Sequence, residues 1–294
     1  MTYSIVARDS ATGEIGIGVQ THQPTCFPVV WVKAGVGAVA TQASTNVSFG
    51  PQGLALMEHG LDAPHVLAAL IASDTEPGVR QVAVMDAKGG SAVHTGAQCI
   101  PYASHLIGAD YTVQSNMMLS EGVPEAMAAA FESATGLLAV RILAALEAAE
   151  AKGGDIRGSL SAVLQVKRPG TIMESLAWDL RIDNQPGALG PLRRMVELRL
   201  AMGELLAPRT VDANDPQALL ADAFGRFERA QALAPGDEQV FWFAVTGLAG
   251  QIGNMEKAAE VLAPLFARAP QWRELLLRLP TPGLDDLKAR FARP

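Results

Sequence analysis

The sequence is short of cysteine and has neither a basic run nor a long hydrophobic run, and each shortage excludes a class of protein. Its 294 residues include only two cysteines, Cys26 and Cys99, whose spacing fits neither a disulfide framework nor a zinc motif. A net charge of −7 argues against nucleic acid or an anionic membrane as the main partner. The longest apolar stretch, FPVVWVKAGVGAVA, is interrupted by Lys33 and is too short to cross a bilayer. The first residues lack the basic and apolar regions of a signal peptide, and we therefore expect a soluble cytoplasmic protein.

Motifs of the common cofactor and metal sites are also missing. The sequence contains no G-x-G-x-x-G after a strand, no Walker sequence, no H-E-x-x-H and no G-x-S-x-G. The histidines show no metal-ligand spacing; they are His22, His59, His65, His94 and His105. We predict neither a cofactor nor a metal site.

The first half of the chain alternates between strand and helix patterns. Period-2 segments predict hairpins over 2–21, 27–42 and 79–96, a strand over 111–117, and two closing strands, SLSAVLQVKRPG and ESLAWDLRIDN. Helical spacing predicts two helices within 51–74 and one long helix over 123–152, ending at Gly153-Gly154. Because tight turns join consecutive strands, we expect antiparallel sheets in an α+β domain over residues 1–190.

Residues 191–294 have helical patterns only. Pro235 and Pro270 end similar helical segments, and the residues between them have nearly the spacing of a tetratricopeptide repeat. The segment GNMEKAAEVL resembles the turn and second helix of such a repeat. Two interpretations stay open for this domain: a surface that binds a peptide or protein, or a docked helical appendage.

Thr2 raises a chemical possibility. Methionine is routinely removed when the next residue is as small as threonine, and removal would leave Thr2 with a hydroxyl and a free α-amine. Such a residue can act as nucleophile and base together, because the amine can take the hydroxyl proton. The pKa of an α-amine, about 8, also suits a base at neutral pH.

Several segments resemble, in their order, those of N-terminal-nucleophile (Ntn) hydrolases such as proteasome β-subunits. They are TYSIVARDSATGEIGIGVQT, VKAGVGAVATQA, VAVMDAKGGSAVHTG, YTVQSNMM and GGDIRGSLSAVLQV. Up to about residue 190 the chain more closely resembles the bacterial domain-of-unknown-function family "ten twenty-eight", with its patterns AGVGAVATQA, HTG, VQGNM and GGDxRGxxSA. The resemblance implies a four-layer αββα sandwich of two antiparallel sheets covered by helices. It implies a family and no particular reaction.

The same resemblance implies roles for single residues. Thr2 takes the place of the nucleophile, and a backbone N–H in the segment 42–44 would donate to the oxyanion. Asn116 and its neighbour lie beside the terminal amine, and Asp155 would orient that amine. Asn46 belongs to the loop TNVSFGPQG, which we expect to set selectivity together with the loop THQPTCFP. Read from the residues alone, Asp155 and Asn116 are also explained as turn residues, so both interpretations stay open.

We therefore predict catalytic roles for Thr2, Asp155 and Asn116. The predicted substrate-binding residues are Thr21, His22, Gln42, Ser44, Asn46 and Ser115. Where proteasome subunits carry an Asp-Ser-Arg-like set, this chain has Thr21 and His22, and it has no clear equivalent of their strand-initial lysine.

Two hypotheses follow for function. In the first, the protein is an amide hydrolase that cleaves the C–N bond of a small amide or short peptide through Thr2 after Met1 is removed. In the second, it is a non-catalytic scaffold whose helical region binds a peptide or protein partner. A homodimer that pairs through helices is compatible with either.

Overall fold

The computed structural model describes residues 2–170 and 178–292, which contain ten strands and ten α-helices. The chain divides into two compact units, Met1–Arg193 and Arg194–Pro294. Both antiparallel sheets lie in the first unit, so its fold is mixed α+β. None of the helices in the described ranges is both long enough and apolar enough to cross a bilayer.

The ten strands form a six-stranded sheet in the order β10-β9-β2-β1-β8-β7 and a four-stranded sheet in the order β3-β4-β5-β6. All neighbours are antiparallel, as short turns between strands require. The strands are β1 (Thr2–Arg8), β2 (Ile15–Thr21), β3 (Val30–Lys33), β4 (Gly37–Ala43), β5 (Arg80–Asp86), β6 (Ser91–Thr95), β7 (Ser104–Gly108), β8 (Tyr111–Asn116), β9 (Ser161–Lys167) and β10 (Trp178–Ile182).

Helices cover one face of each sheet. Helices α1 (Phe49–Glu58) and α2 (Ala63–Ala72) pack on the four-stranded sheet through Phe49, Val66 and Leu70. Helices α3 (Val123–Ser133) and α4 (Leu138–Ala151) pack on the six-stranded sheet. Gly16 and Gly18 of β2 let α4 approach closely, since a Cβ at these positions would lie 2.7 and 2.5 Å from side-chain atoms of Ile142.

The other faces of the two sheets pack against each other. Their apolar contact includes Val6 and Ile17 from the six-stranded sheet and Ala40 and Met85 from the four-stranded sheet. Strand alternation puts Thr2 and Ser4 on the same face of β1 as Val6, so these polar side chains also point between the sheets. The space between the sheets therefore has an apolar part and a polar part.

Two details of the predicted elements were wrong or missing. The single helix predicted over 123–152 is two helices, α3 and α4, because the chain leaves the helical path at Ala134 and Gly136 has a φ of +88°. The sequence patterns also missed β7, a five-residue strand at the sheet edge. The predicted strand ESLAWDLRIDN contains β10, and its first part, 174–177, lies outside the described residues.

The second unit contains helices only within its described residues. Its helices, with α5 beginning in the first unit, are α5 (Leu189–Leu206), α6 (Pro216–Leu233), α7 (Glu238–Val245), α8 (Met255–Arg268), α9 (Pro270–Arg278) and α10 (Asp285–Ala292), and a π-helix (Thr246–Gln251) follows α7. Arg226 is 6% exposed, and its guanidinium donates to the carbonyls of Ala207 and Pro208 just beyond α5 and to Asp222. This arginine satisfies carbonyl groups that the end of a helix leaves without partners.

Candidate functional site

Thr2 begins β1 near the middle of the six-stranded sheet. In register it lies opposite Thr21 at the end of β2 and opposite Asn116 at the end of β8. Thr21 in turn lies opposite Ser161 at the start of β9. The side chains of Thr2, Thr21, Asn116 and Ser161 lie on one face of the sheet and form a polar row that faces the four-stranded sheet.

Both the side chain and the carbonyl of Thr2 have defined partners. Oγ1 of Thr2 donates to Oγ1 of Thr21 at 3.2 Å, and Thr2 is 3% exposed. Its carbonyl oxygen accepts from Nε2 of Gln42 and from Nδ2 of Asn116, each at 3.3 Å. Gln42 belongs to the four-stranded sheet and Asn116 to the six-stranded sheet, so both sheets fix the position of Thr2.

Gln81 of β5 organises these two amides. Its Oε1 accepts from Nε2 of Gln42 at 2.6 Å and from Nδ2 of Asn116 at 2.9 Å, and Gln81 is fully buried. Its Nε2 donates to Oγ1 of Thr95 and to the carbonyl of Ser115, both at 2.9 Å. Because Gln81 presents its oxygen to both amides, each amide turns its N–H₂ toward Thr2.

The network extends from Gln81 in two directions. Ser4 donates to Oε1 of Gln42 at 2.7 Å and accepts from Nε2 of Gln114 at 2.6 Å. On the other side, Oγ1 of Thr95 lies 2.8 Å from Nδ1 of His105, and burial lowers the pKa of this histidine. The polar part between the sheets is therefore held together by neutral side chains at neutral pH.

Ala43 supplies a backbone donor at the end of β4. Thr41 donates its N–H to the carbonyl of Val29, whereas the N–H of Ser44 is used by the carbonyl of Val79. By strand alternation the N–H of Ala43 points to the same side as that of Thr41, beyond the end of β3. Ala43 has a φ of +65°, a left-handed conformation that a non-glycine residue adopts only with strain. Of the predicted oxyanion segment 42–44, Ala43 thus has the donor best placed for that role.

Two cavities adjoin this donor. The larger, of about 450 Å³, is lined by Thr2, Thr21 and Ala43 together with residues of the loop 23–29 and with Thr45 and Val47. The smaller, of about 280 Å³, is lined by Ala43, Ser44, Cys99 and Asn116 among others. Gln23 and Ala43 line both, so the cavities meet at these two residues.

Asp155 lies close to this end of the sheet but makes other bonds. It is 3% exposed and forms an isolated bridge with Met118, just after β8. Its carboxylate accepts from the backbone N–H of Arg157 at 2.9 Å and from Nη2 of the same arginine at 2.8 Å. These bonds fit the turn interpretation of Asp155, and no bond to Thr2 is seen in the described part of the chain.

The remaining predicted residues are only partly brought together. Ser44 lines the smaller cavity, where its hydroxyl accepts from Nη1 of Arg80 at 3.0 Å. Ser115 is one residue from Asn116 and therefore points to the opposite, helix-covered face, into a cavity near the start of α3. Nδ2 of Asn46 donates to Asp74, at 3.0 Å, and Nδ1 of His22 lies 3.1 Å from the carbonyl oxygen of Gly158.

The sequence of the first unit matches a family of unknown function (DUF1028) over residues 2–192, about two thirds of the chain. The chain belongs to this family. A crystal structure of the DUF1028 protein SPO2555 from Silicibacter pomeroyi resembles it with a TM-score of 0.60 and 29% identity. The similarity covers 67% of this DUF1028 chain and 84% of that one. None of the curated proteins matches it significantly.

Sequence reasoning missed Gln81 and Gln114 of this DUF1028 chain. A usable signal was present, because Gln81 shares its strand face with Ala83 and Met85, which are buried between the sheets. A glutamine in a row of inward apolar positions must find buried partners. Within residues 2–170 and 178–292, no three His, Cys, Asp or Glu side chains are grouped as metal ligands would be.

Proposed function

We propose that the protein is an amide hydrolase of the Ntn type, with Thr2 as nucleophile after removal of Met1. One observation carries the proposal: Thr2 lines a cavity at the end of a central strand, and side-chain amides from both sheets fix its carbonyl. A structural threonine at a strand end needs neither the cavity nor the two donors. A nucleophile needs both, because it must reach the substrate and keep its position.

The architecture supports the same proposal. Two antiparallel sheets pack face to face, and helices cover their outer faces, as in the αββα sandwich of Ntn hydrolases. The order of segments that resembles those hydrolases in sequence places Thr2 at the start of β1 and Asn116 at the end of β8.

The chemistry would follow from the groups around Thr2. The free α-amine of Thr2 takes the proton of Oγ1, directly or through water, while Oγ1 attacks the amide carbon and the N–H of Ala43 donates to the oxyanion. The C–N bond then breaks, and the departing amine takes the proton from the α-ammonium group. The α-amine of Thr2, now neutral again, deprotonates a water molecule. This water hydrolyses the ester, releases the carboxylic acid and restores the Thr2 hydroxyl. No cofactor is needed for these steps.

Intact mass and two variants test the proposal. We expect the active protein to lack Met1 and the Thr2→Ala variant to lose turnover on a panel of small amides and short peptides. Thr2→Ser should keep part of the activity, because serine also carries a hydroxyl, and both variants keep a small second residue so that Met1 is still removed. Retained Met1 in an active preparation would refute the mechanism, as would normal turnover by Thr2→Ala.

A second function, peptide or protein binding by a tetratricopeptide-like second unit, is favoured by one observation. An apolar cavity of about 190 Å³ there is lined by Trp242, Leu276, Leu279 and Leu284 and by residues of the π-helix. A π-helical segment often occurs at functional sites. If this cavity takes an apolar side chain of a peptide, Leu279→Glu should abolish binding of a captured peptide while amide turnover is kept. Unchanged peptide binding by Leu279→Glu would argue against this function.

A further inference from the structure

The two cavities that meet at Ala43 share a chemical property. Among the described residues that line them, there is no aspartate, glutamate, lysine, arginine or histidine, although 18% of the chain is charged. The larger cavity is walled mainly by apolar groups, which include Pro24, Phe27, Pro28 and Val47. A charged acyl group placed there would lose hydration and would find no charged side chain as a partner.

Groups near the smaller cavity are neutral or already paired. Burial raises the pKa of the Cys99 thiol, so this side chain is protonated at neutral pH. The cation behind Ser44 is Arg80, whose Nε donates to the carboxylate of Asp74 at 2.9 Å. The charge of Arg80 is therefore compensated within the protein and does not offer a site for an anionic substrate.

Asn116 brings an acceptor without a hydrogen-bond partner to the wall of the smaller cavity. Its Nδ2 donates to the carbonyl of Thr2 and to Oε1 of Gln81. Its Oδ1 is buried and has no hydrogen-bond partner within the described residues. Asn116 is 1% exposed and lines the smaller cavity. A buried acceptor without a donor is unfavourable in the free protein, and a substrate N–H would satisfy it.

From these observations we infer the substrate class: an uncharged secondary amide. Its apolar acyl group occupies the larger cavity beside Thr2, and its N–H donates to Oδ1 of Asn116 in the smaller cavity. This places the amide carbon near Ala43, where the two cavities meet. The inference rests on the proposed function for the chemistry, but it concerns binding and can be tested without turnover.

The first test uses three p-nitroanilides of equal acyl length: hexanoyl, 5-carboxypentanoyl and 6-aminohexanoyl. We expect the wild-type protein to release p-nitroaniline from the hexanoyl compound with a kcat/KM at least about tenfold above that for either charged compound, because no charged side chain lines the cavities. Equal kcat/KM values, or a preference for a charged compound, would overturn the inference even if Thr2-dependent turnover is established.

The second test separates binding from turnover. The Thr2→Ala variant should bind the hexanoyl anilide at least about tenfold more tightly than the charged compounds in calorimetric titrations. If this preference is found but wild-type protein hydrolyses none of the compounds, the proposed function fails and the inference stands. If Thr2→Ala binds none of them, or binds all three equally, the inference is overturned.

A matched pair of variants at the wall of the larger cavity tests whether the preference against an anionic acyl group can be reversed. Val47 is 47% exposed and lines the larger cavity, so substitutions there are expected to be compatible with folding. Val47→Lys should shift the preference toward the 5-carboxypentanoyl compound, whereas the neutral control Val47→Gln should not. The same selectivity in both variants would contradict the placement of the acyl group in this cavity.

Discussion

Replacement of Gln81 tests how the protein holds Thr2. Gln81 is fully buried; its Oε1 accepts from Gln42 at 2.6 Å and from Asn116 at 2.9 Å, and its Nε2 donates to the carbonyl of Ser115 at 2.9 Å. Leucine has a similar size but can neither accept nor donate. In Gln81→Leu, three buried polar groups would therefore lose a hydrogen-bond partner, and so would the less buried hydroxyl of Thr95 and carbonyl of Ser104.

The expected loss of stability follows from these three groups. A buried polar group without its partner destabilises a protein by about 1–3 kcal/mol. The low end applies here because Gln42 and Asn116 keep longer bonds to the Thr2 carbonyl, each at 3.3 Å. We expect the free energy of unfolding of Gln81→Leu to fall by about 3 kcal/mol, as a lower midpoint in urea with an unchanged slope.

Gln20 provides the matched control. It is also fully buried, but both of its amide atoms lack a hydrogen-bond partner within the described residues. Gln20→Leu removes these unsatisfied atoms and should leave stability unchanged or raise it. Equal destabilisation by the two substitutions would refute the reasoning, and so would wild-type stability of Gln81→Leu.

The kinetic effect of Gln81→Leu distinguishes a positioning role from a merely structural one. If Gln81 turns two amides toward Thr2, its loss displaces Thr2, the proposed nucleophile, and leaves the cavities intact. At a temperature where the variant is folded, kcat should fall about 10- to 100-fold with little change in KM. A variant that is destabilised but has wild-type kcat would limit Gln81 to a role in stability.

Three further predictions concern other parts of the chain. The hydrogen bond from Arg80 lowers the pKa of Asp74 from 3.8 to about 2. The stability that this carboxylate provides is therefore present above pH about 4 and is lost as the pH falls to about 2. Asp74→Asn should flatten this part of a plot of the urea midpoint against pH. Lysine carries one ammonium nitrogen in place of the guanidinium fork whose separate nitrogens reach Asp222, Ala207 and Pro208, so Arg226→Lys should lose part of this set. We expect it to destabilise the second unit by about 1–3 kcal/mol, seen as faster amide exchange near the end of α5. Tyr3→Phe removes the 2.7 Å bond to Glu150 and should lower the free energy of unfolding in urea by about 1–2 kcal/mol, whereas no loss would show that this bond contributes nothing net.

The strands were predictable where short runs rich in apolar residues are separated by turn residues. Strands β1 and β2 flank the turn SATG, and the structure pairs them from Thr2 with Thr21 to Arg8 with Ile15. Local periodicity was insufficient for the segment 123–152, because alanine-rich sequence on both sides of Gly136 has a helical pattern throughout. The edge strand β7 was missed because its five residues are only partly buried and give weak alternation.

The sequence could name residues of the candidate site, but it could not show how those residues contact one another across the two sheets. Thr2 and Asn116 could be named from segment order, and the structure places them opposite each other in register. Strand alternation puts Ser115 and Asn116 on opposite faces, but the sequence could not show which of these faces the second sheet covers. Gln81 was missed because its role comes from pairing between sheets that are distant in sequence.

The division of the space between the sheets supports the proposed function. At one end Val6 and Ile17 pack against Ala40 and Met85, which is all that two facing sheets require for stability. At the other end, where Thr2 lies, glutamine and asparagine amides fill the same space through hydrogen bonds. Such a network contributes little net stability and becomes a liability when one member is lost, but it fixes side-chain directions more narrowly than apolar packing does. Selection for stability alone would favour apolar residues at both ends, so the polar end is best explained by the need to hold Thr2 in one position.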